Sequence, residues 1–175
     1  IMTKYLQTNE IEAEGNGNPL ISPQLFLLDC KIPEDELKKQ YPKLWEYLKK
    51  GIEQGISEKY LCKHRRIWYS QENRQPTPFI CSYMGRKITK NGDNNPFKFI
   101  LNNSNAIVTN VWLMLYPTDI LKMSLEKNPP LTRAVWKALN EISVKDLIQE
   151  GRVYGGGLHK LEPKELSNVP ASKIF

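Results

Sequence analysis

The densest concentration of chemistry-bearing side chains is Lys63-His64-Arg65-Arg66-Ile67-Trp68-Tyr69, up to four cationic groups beside two aromatics. Arg74 follows a few positions on, and Arg86 and Lys87 come after the next apolar run. Lysine and arginine neutralise phosphates, and arginine can also fork onto guanine edges in the major groove. The pattern points to DNA contact, set against a solvated basic face with Trp68 and Tyr69 in the core. The charge balance agrees: 25 Lys and Arg against 19 Asp and Glu give a net +6, and the pI is about 9.1. That suits a phosphate-rich partner without naming it. Arg152 to Lys160 is the second candidate. Gly155, Gly156 and Gly157 let a backbone pass close to a strand or a phosphate, or else form a tight turn. His159 and Lys160, just beyond the glycines, either donate to phosphates or lie exposed.

Other chemistries fit poorly. The glycine run lacks the Gly-Lys-Ser or Gly-Lys-Thr end of a phosphate loop and the spaced glycines of a dinucleotide fingerprint. Cys62 and His64 sit close together, but Cys81 is well downstream and no second close pair completes a tetrahedral zinc site, so no metal site is expected. Glu36-Leu37-Lys38 and Glu162-Pro163-Lys164 have the look of a metal-dependent nuclease, yet both fall at expected helix starts rather than on a central strand. Two histidines with no paired serine or cysteine give no hydrolytic triad. Three cysteines, Cys30, Cys62 and Cys81, speak for a reducing, cytoplasmic setting. The most apolar run, Val111 to Tyr116, is too short to span a bilayer, so no membrane partner is expected.

At 175 residues, 40% of them hydrophobic, the chain suits one domain, or a domain plus an appendage. Residues 1–22 read as a loop-rich leader with Gly15, Gly17 and Pro19, and residues 23–175 as the domain proper. Leu25 to Leu28 read as a short buried strand. Pro33-Glu34-Asp35-Glu36 opens a helix, and Pro42 a second with Leu44, Trp45, Leu48 and Ile52 at helical spacing. Ile67–Tyr69, Phe79–Met84, Phe97–Asn102 and Asn110–Tyr116 read as strands, separated by turns such as Gln75-Pro76-Thr77-Pro78 and Asn91-Gly92-Asp93. Alternation along Phe97–Leu101 predicts one face better buried than the other. After Pro117 a two-helix elbow occupies 117–149, with the stripe Leu131, Val135, Ala138, Leu139 and Ile142. Pro163 opens a last short helix. The expected class is α+β, a mixed or antiparallel sheet of short strands flanked by helices.

Five ordered phrases carry a resemblance. They are Trp68-Tyr69-Ser70-Gln71-Glu72-Asn73-Arg74, Cys81-Ser82-Tyr83-Met84-Gly85-Arg86, Pro96-Phe97-Lys98-Phe99-Ile100-Leu101-Asn102, Leu113-Met114-Leu115-Tyr116-Pro117, and the run from Gly151 to Leu166. Together, from about Pro23 to Ala171, the chain resembles the C-terminal target-recognition region of N6-adenine DNA methyltransferases from bacterial restriction-modification systems. In that family the catalytic half comes first, with a glycine-rich cofactor loop and an Asn-Pro-Pro-aromatic motif. Here Asn128-Pro129-Pro130 is followed by Leu131, and Asn95-Pro96-Phe97 has one proline; both read as structural. The resemblance therefore implies a recognition portion without its catalytic domain, consistent with a chain that starts Ile1-Met2. It implies double-stranded DNA and the catalytic methyltransferase domain of the same polypeptide as partners. It also implies S-adenosylmethionine as cofactor of the intact enzyme, with none held by this chain. A basic module docking protein or RNA is the main alternative, and a metal-dependent nuclease fragment is the enzyme alternative.

Overall fold

In the computed structural model, which describes residues 9–15, 17–20, 26–86 and 95–170, the chain divides into two compact units. One is Phe26–Arg74; the other comprises the described residues before and after it in sequence. The sequence predicts a leader up to residue 22 and one domain beyond it. One apolar cluster lies within Phe26–Arg74 and two lie in the other unit.

The Phe26–Arg74 unit is helical. Helix α1 (Glu34–Gln40) carries three acids in its first turn, where the helix dipole favours them, and α2 (Pro42–Glu53) starts on proline as expected. A single turn, α3 (Tyr60–Lys63), follows. Leu37 and Leu48 meet Cys30 and Tyr69 in the core, with Trp45 and Trp68 packed against them. The two strands expected here are absent. Leu25 lies outside the described residues, and Phe26 and Leu27 are exposed irregular chain. Ile67–Tyr69 turns instead, because the Ser70 hydroxyl and amide both donate to the Ile67 carbonyl, and Tyr69 is used to fill the helical core. An apolar run without a partner strand has no ladder to join.

The other unit holds two sheets. The first is mixed and four-stranded, in the order β1-β4-β2-β5: β1 (Glu10–Ile11), β2 (Phe79–Ser82), β4 (Phe99–Asn102) and β5 (Trp112–Leu115). Strand β1 runs parallel to β4, and Ile11, which the sequence places in the leader, is fully buried there. Every residue of β4 is buried, against the expected one-sided burial. Ile80 and Ile100 pack with Ile11, Val108 and Trp112 on one face, while Cys81 and Phe99 pack with Phe97, Leu147 and Leu161 on the other. A strand covered on both faces reads as a continuous apolar run. The buried Asn102 amide bonds Thr77, Ser104 and Ala106, closing the loop after β4.

The elbow after Pro117 resolves into three helices rather than two: α4 (Asp119–Lys127), α5 (Pro130–Asn140) and α6 (Val144–Glu150). Asn128 and Pro129 form the α4–α5 junction, so the Asn-Pro-Pro segment is structural here. The Trp136 indole of α5 donates to the Phe99 carbonyl at 2.9 Å, tying the helix to β4. Ser143 caps α6 by accepting from the Asp146 amide. The last helix, α7 (Pro163–Leu166), has a reciprocal capping box between Glu162 and Glu165. The α+β class expected from the sequence holds.

Candidate nucleic-acid interface

The second sheet is antiparallel and three-stranded, in the order β3-β7-β6. Its strands are β3 (Met84–Arg86), β6 (Arg152–Tyr154) and β7 (Leu158–Lys160). Tyr83 is where the chain changes sheets: its amide donates to the Val111 carbonyl, and its own carbonyl accepts from the Leu161 amide. Register pairs Met84 and Arg152 with Lys160, and Arg86 and Tyr154 with Leu158. Cross-strand partners share a face, so Arg86, Arg152 and Lys160 lie on one face with Met84, Leu158 and Tyr154. All six are exposed or half-exposed.

These cations are not equally available. Arg152 Nε is 2.6 Å from a Glu165 oxygen, and Lys160 Nζ is 2.8 Å from Glu162 and 5.0 Å from the centre of the Tyr83 ring. The Glu165 charge holds the Arg152 guanidinium above its ordinary range. The Glu162 hydrogen bond raises the Lys160 ammonium, and the same bond lowers the Glu162 carboxyl. Arg86 instead donates from Nε to a neutral acceptor, the Gly156 carbonyl, at 3.3 Å. Its charge meets no carboxylate in that contact, and its other guanidinium donors can serve a phosphate without breaking it.

Gly155–Gly157 form the turn between β6 and β7, with φ of 71° at Gly156 and 70° at Gly157. Among the described residues, no atom beyond the immediate chain neighbours lies within 4 Å of a Cβ built at any of the three. The tight turn is therefore what the left-handed backbone at Gly156 and Gly157 requires, and the space above it is open. His159 lies on the opposite face and is buried rather than exposed. The period of two along β7 turns it inward. Its Nδ1 has no hydrogen-bond partner among the described residues. Gly85 shares that face, and a Cβ there would sit 1.8 Å from the Pro96 carbonyl oxygen.

The remaining candidates belong to the helical unit. Lys63, His64 and Arg66 are exposed, and Arg65 is half-buried. Lys63 pairs loosely with Glu58 at 3.3 Å, and Arg74 with Glu72 at 2.9 Å. Tyr69 is buried, its hydroxyl donates to the Ile32 carbonyl at 2.7 Å, and burial raises its phenol. Trp68 stands edge-on to it at 5.4 Å and covers Gly51. Both aromatics thus take the core role weighed for them in the sequence. Lys87 lies outside the described residues. Sequence reasoning overlooked Tyr60 and Leu61, exposed by 75% and 68% just before the basic run.

Among the described residues no group of three His, Cys, Asp or Glu is placed to hold a metal ion. Cys30 and Cys81 are buried free thiols, and burial pushes the Cys81 thiol up to about 12. No helix among the described residues is long and apolar enough to cross a membrane.

The sequence, rather than the architecture, places the chain in a known class of domain. Residues 10–174 fit the family described as the C-terminal domain of Type II methyltransferase M.Eco57I, and the chain belongs to that family. Among characterised relatives it is 29% identical to Type II methyltransferase M.XamI of Xanthomonas campestris pv. amaranthicola, over 78% of this chain and 23% of that protein. It is 28% identical to Type II methyltransferase M.AccI of Acinetobacter calcoaceticus, over 69% of this chain and 20% of that protein. The matched part thus spans less than a quarter of either relative. No solved structure matches the chain.

Proposed function

We propose that the chain is the DNA target-recognition portion of a site-specific adenine-N6 DNA methyltransferase from a bacterial restriction-modification system. In the intact enzyme a catalytic domain of the same polypeptide binds S-adenosylmethionine and transfers its methyl group to an adenine taken out of the stack. This portion selects the site on double-stranded DNA in the cytoplasm. The observation that carries the reading is the family match across 10–174, which assigns the chain to the C-terminal part of a methyltransferase. The exposed and half-exposed cations support it. Arg86, Arg152 and Lys160 on the small sheet, and Lys63, Arg66 and Arg74 on the helical unit, provide charges of the kind that position a duplex.

A second surface suits the catalytic domain itself. Ile120 and Met123 of α4 are exposed by 82% and 56%, one helical turn apart, and Tyr116 just before the helix by 55%. An apolar patch of this kind is what a protein neighbour covers.

Titration of a labelled duplex with the chain at rising salt tests the reading. Affinity should fall steeply with salt, and Arg86→Ala should weaken binding to every sequence and lower the salt slope by about 1. Binding that ignores salt, or none at all, would sink it.

A further inference from the structure

Tyr60 and Leu61 are large apolar side chains left in solvent. They are adjacent on the one-turn helix α3, exposed by 75% and 68%, in a unit whose core is complete without them. Tyr60 is nevertheless held in place. The His64 ring lies 4.4 Å from the Tyr60 ring at a 40° tilt, and His64 Nδ1 is 2.7 Å from the Tyr60 carbonyl. The surroundings are cationic: Lys59, Lys63 and Arg66 are exposed and Arg65 is half-exposed, with Glu58 the one acid in that stretch of chain. An apolar pair flanked along the chain by cations, of which Lys63 is also 3.3 Å from Glu58, suits a polyanion that offers an apolar surface as well. An uncharged apolar patch would leave the cations unmatched, and a purely acidic surface would leave Tyr60 and Leu61 unmatched. Duplex DNA matches both, with an apolar stack of bases between two rows of phosphates.

We infer that Tyr60 and Leu61 form a wedge that enters an opened base step of duplex DNA while the surrounding cations hold the flanking phosphates. This rests on the DNA-binding reading and deepens it by naming the duplex feature that is bound. Apolar side chains inserted between base steps unstack them and kink the helix, and an enzyme acting on an extruded base gains from a step already opened.

The test compares two duplexes of one sequence, one fully paired and one with a single unpaired base that opens a step in advance, using the full 175-residue chain. The chain should prefer the opened duplex by roughly tenfold, since the unstacking cost is already met. A Tyr60→Ser, Leu61→Ser double variant should fold, because both positions are exposed, and its melting curve checks this. It should bind both duplexes about equally while keeping the parental salt slope. Equal binding of the two duplexes by the parent overturns the wedge and leaves the DNA-binding reading standing. So does a variant that keeps the parental preference. Binding of neither duplex overturns both.

Discussion

Replacing Gly85 with alanine asks whether the small sheet is built as described. Gly85 is the middle residue of β3, paired with His159, and a Cβ there would lie 1.8 Å from the Pro96 carbonyl oxygen and 2.8 Å from its carbon. Restoring even a 3.0 Å approach would require the two backbones to part by 1.2 Å. The obstacle is main chain, so no flexible side-chain end can swing aside. Overpacking costs about 1 to 3 kcal/mol in general, and rigidity on both sides argues for the upper end. Parting β3 from Pro96 also loosens the ladder to β7, adding about 1 kcal/mol for a weakened hydrogen bond. The expected loss is roughly 3 to 4 kcal/mol, or a melting point lower by roughly 6 to 16 °C for a chain of this size. Urea unfolding followed by circular dichroism measures it. Gly155→Ala is the control: nothing lies within 4 Å of its Cβ position, and its φ is not left-handed. It should change stability by no more than about 0.5 kcal/mol. A folded Gly85→Ala protein within about 1 kcal/mol of the parent would refute the close approach of β3 to Pro96.

Two further outcomes can be checked. At Gly156, φ of 71° makes alanine cost about 1 to 2 kcal/mol through the backbone alone, and valine more, whereas Gly155→Ala should leave both stability and duplex affinity near parental. Equal melting points for the two alanine variants would show that the β6–β7 turn is not left-handed at Gly156. Acid should destabilise the sheet unit. The Lys160 hydrogen bond lowers the Glu162 carboxyl, and the Arg133 hydrogen bond lowers that of Glu10. Stability from carboxyls lowered in the fold is complete above the ordinary value of 4.5 and is lost as pH falls through the folded values. The melting point should therefore drop as pH is taken below 4.5, and less steeply in a Glu10→Gln, Glu162→Gln variant. Parallel curves for parent and variant would exclude these pairs as the cause.

The sequence marked helices more faithfully than it marked their neighbours. Pro33 followed by acids, Pro42 and Pro163 each announce a helix start by local chemistry, and each start is where that chemistry puts it. Strands depend on partners that local sequence does not name. Phe26–Leu28 and Ile67–Tyr69 are as apolar and aromatic as Phe79–Ser82, yet only the last finds a ladder, between β4 and β5. Conversely, Glu10–Ile11 sits in a polar, glycine-flanked stretch and still becomes a strand, since a long-range parallel pairing with Leu101 and Asn102 supplies the missing hydrogen bonds. The stripe from Leu131 to Ile142 marked α5, but the bounds of α4 and α6 follow from the Asn128–Pro129 junction and from the Ser143 cap that accepts from the Asp146 amide.

For the candidate interface, residue types picked out the cationic segments but left the roles of individual side chains open. Charge counting treats Arg86, Arg152 and Lys160 alike, because nothing in the spacing shows that Glu162 and Glu165 turn back from the start of α7 onto the sheet. Once they do, the three cations differ in what a phosphate must displace. At Lys160 and Arg152 it competes with a carboxylate already in hydrogen-bond contact, so part of any gain is spent on breaking an ion pair. At Arg86 the contact to be kept or broken is with the neutral Gly156 carbonyl. The glycine turn therefore does more than close a hairpin: its left-handed backbone carries that carbonyl, and the bond to it anchors Arg86 on the exposed face of the sheet. On this geometry Arg86 is the first residue of the sheet that a phosphate should reach, with Arg152 and Lys160 following only where the duplex presents enough charge to draw them from their carboxylates.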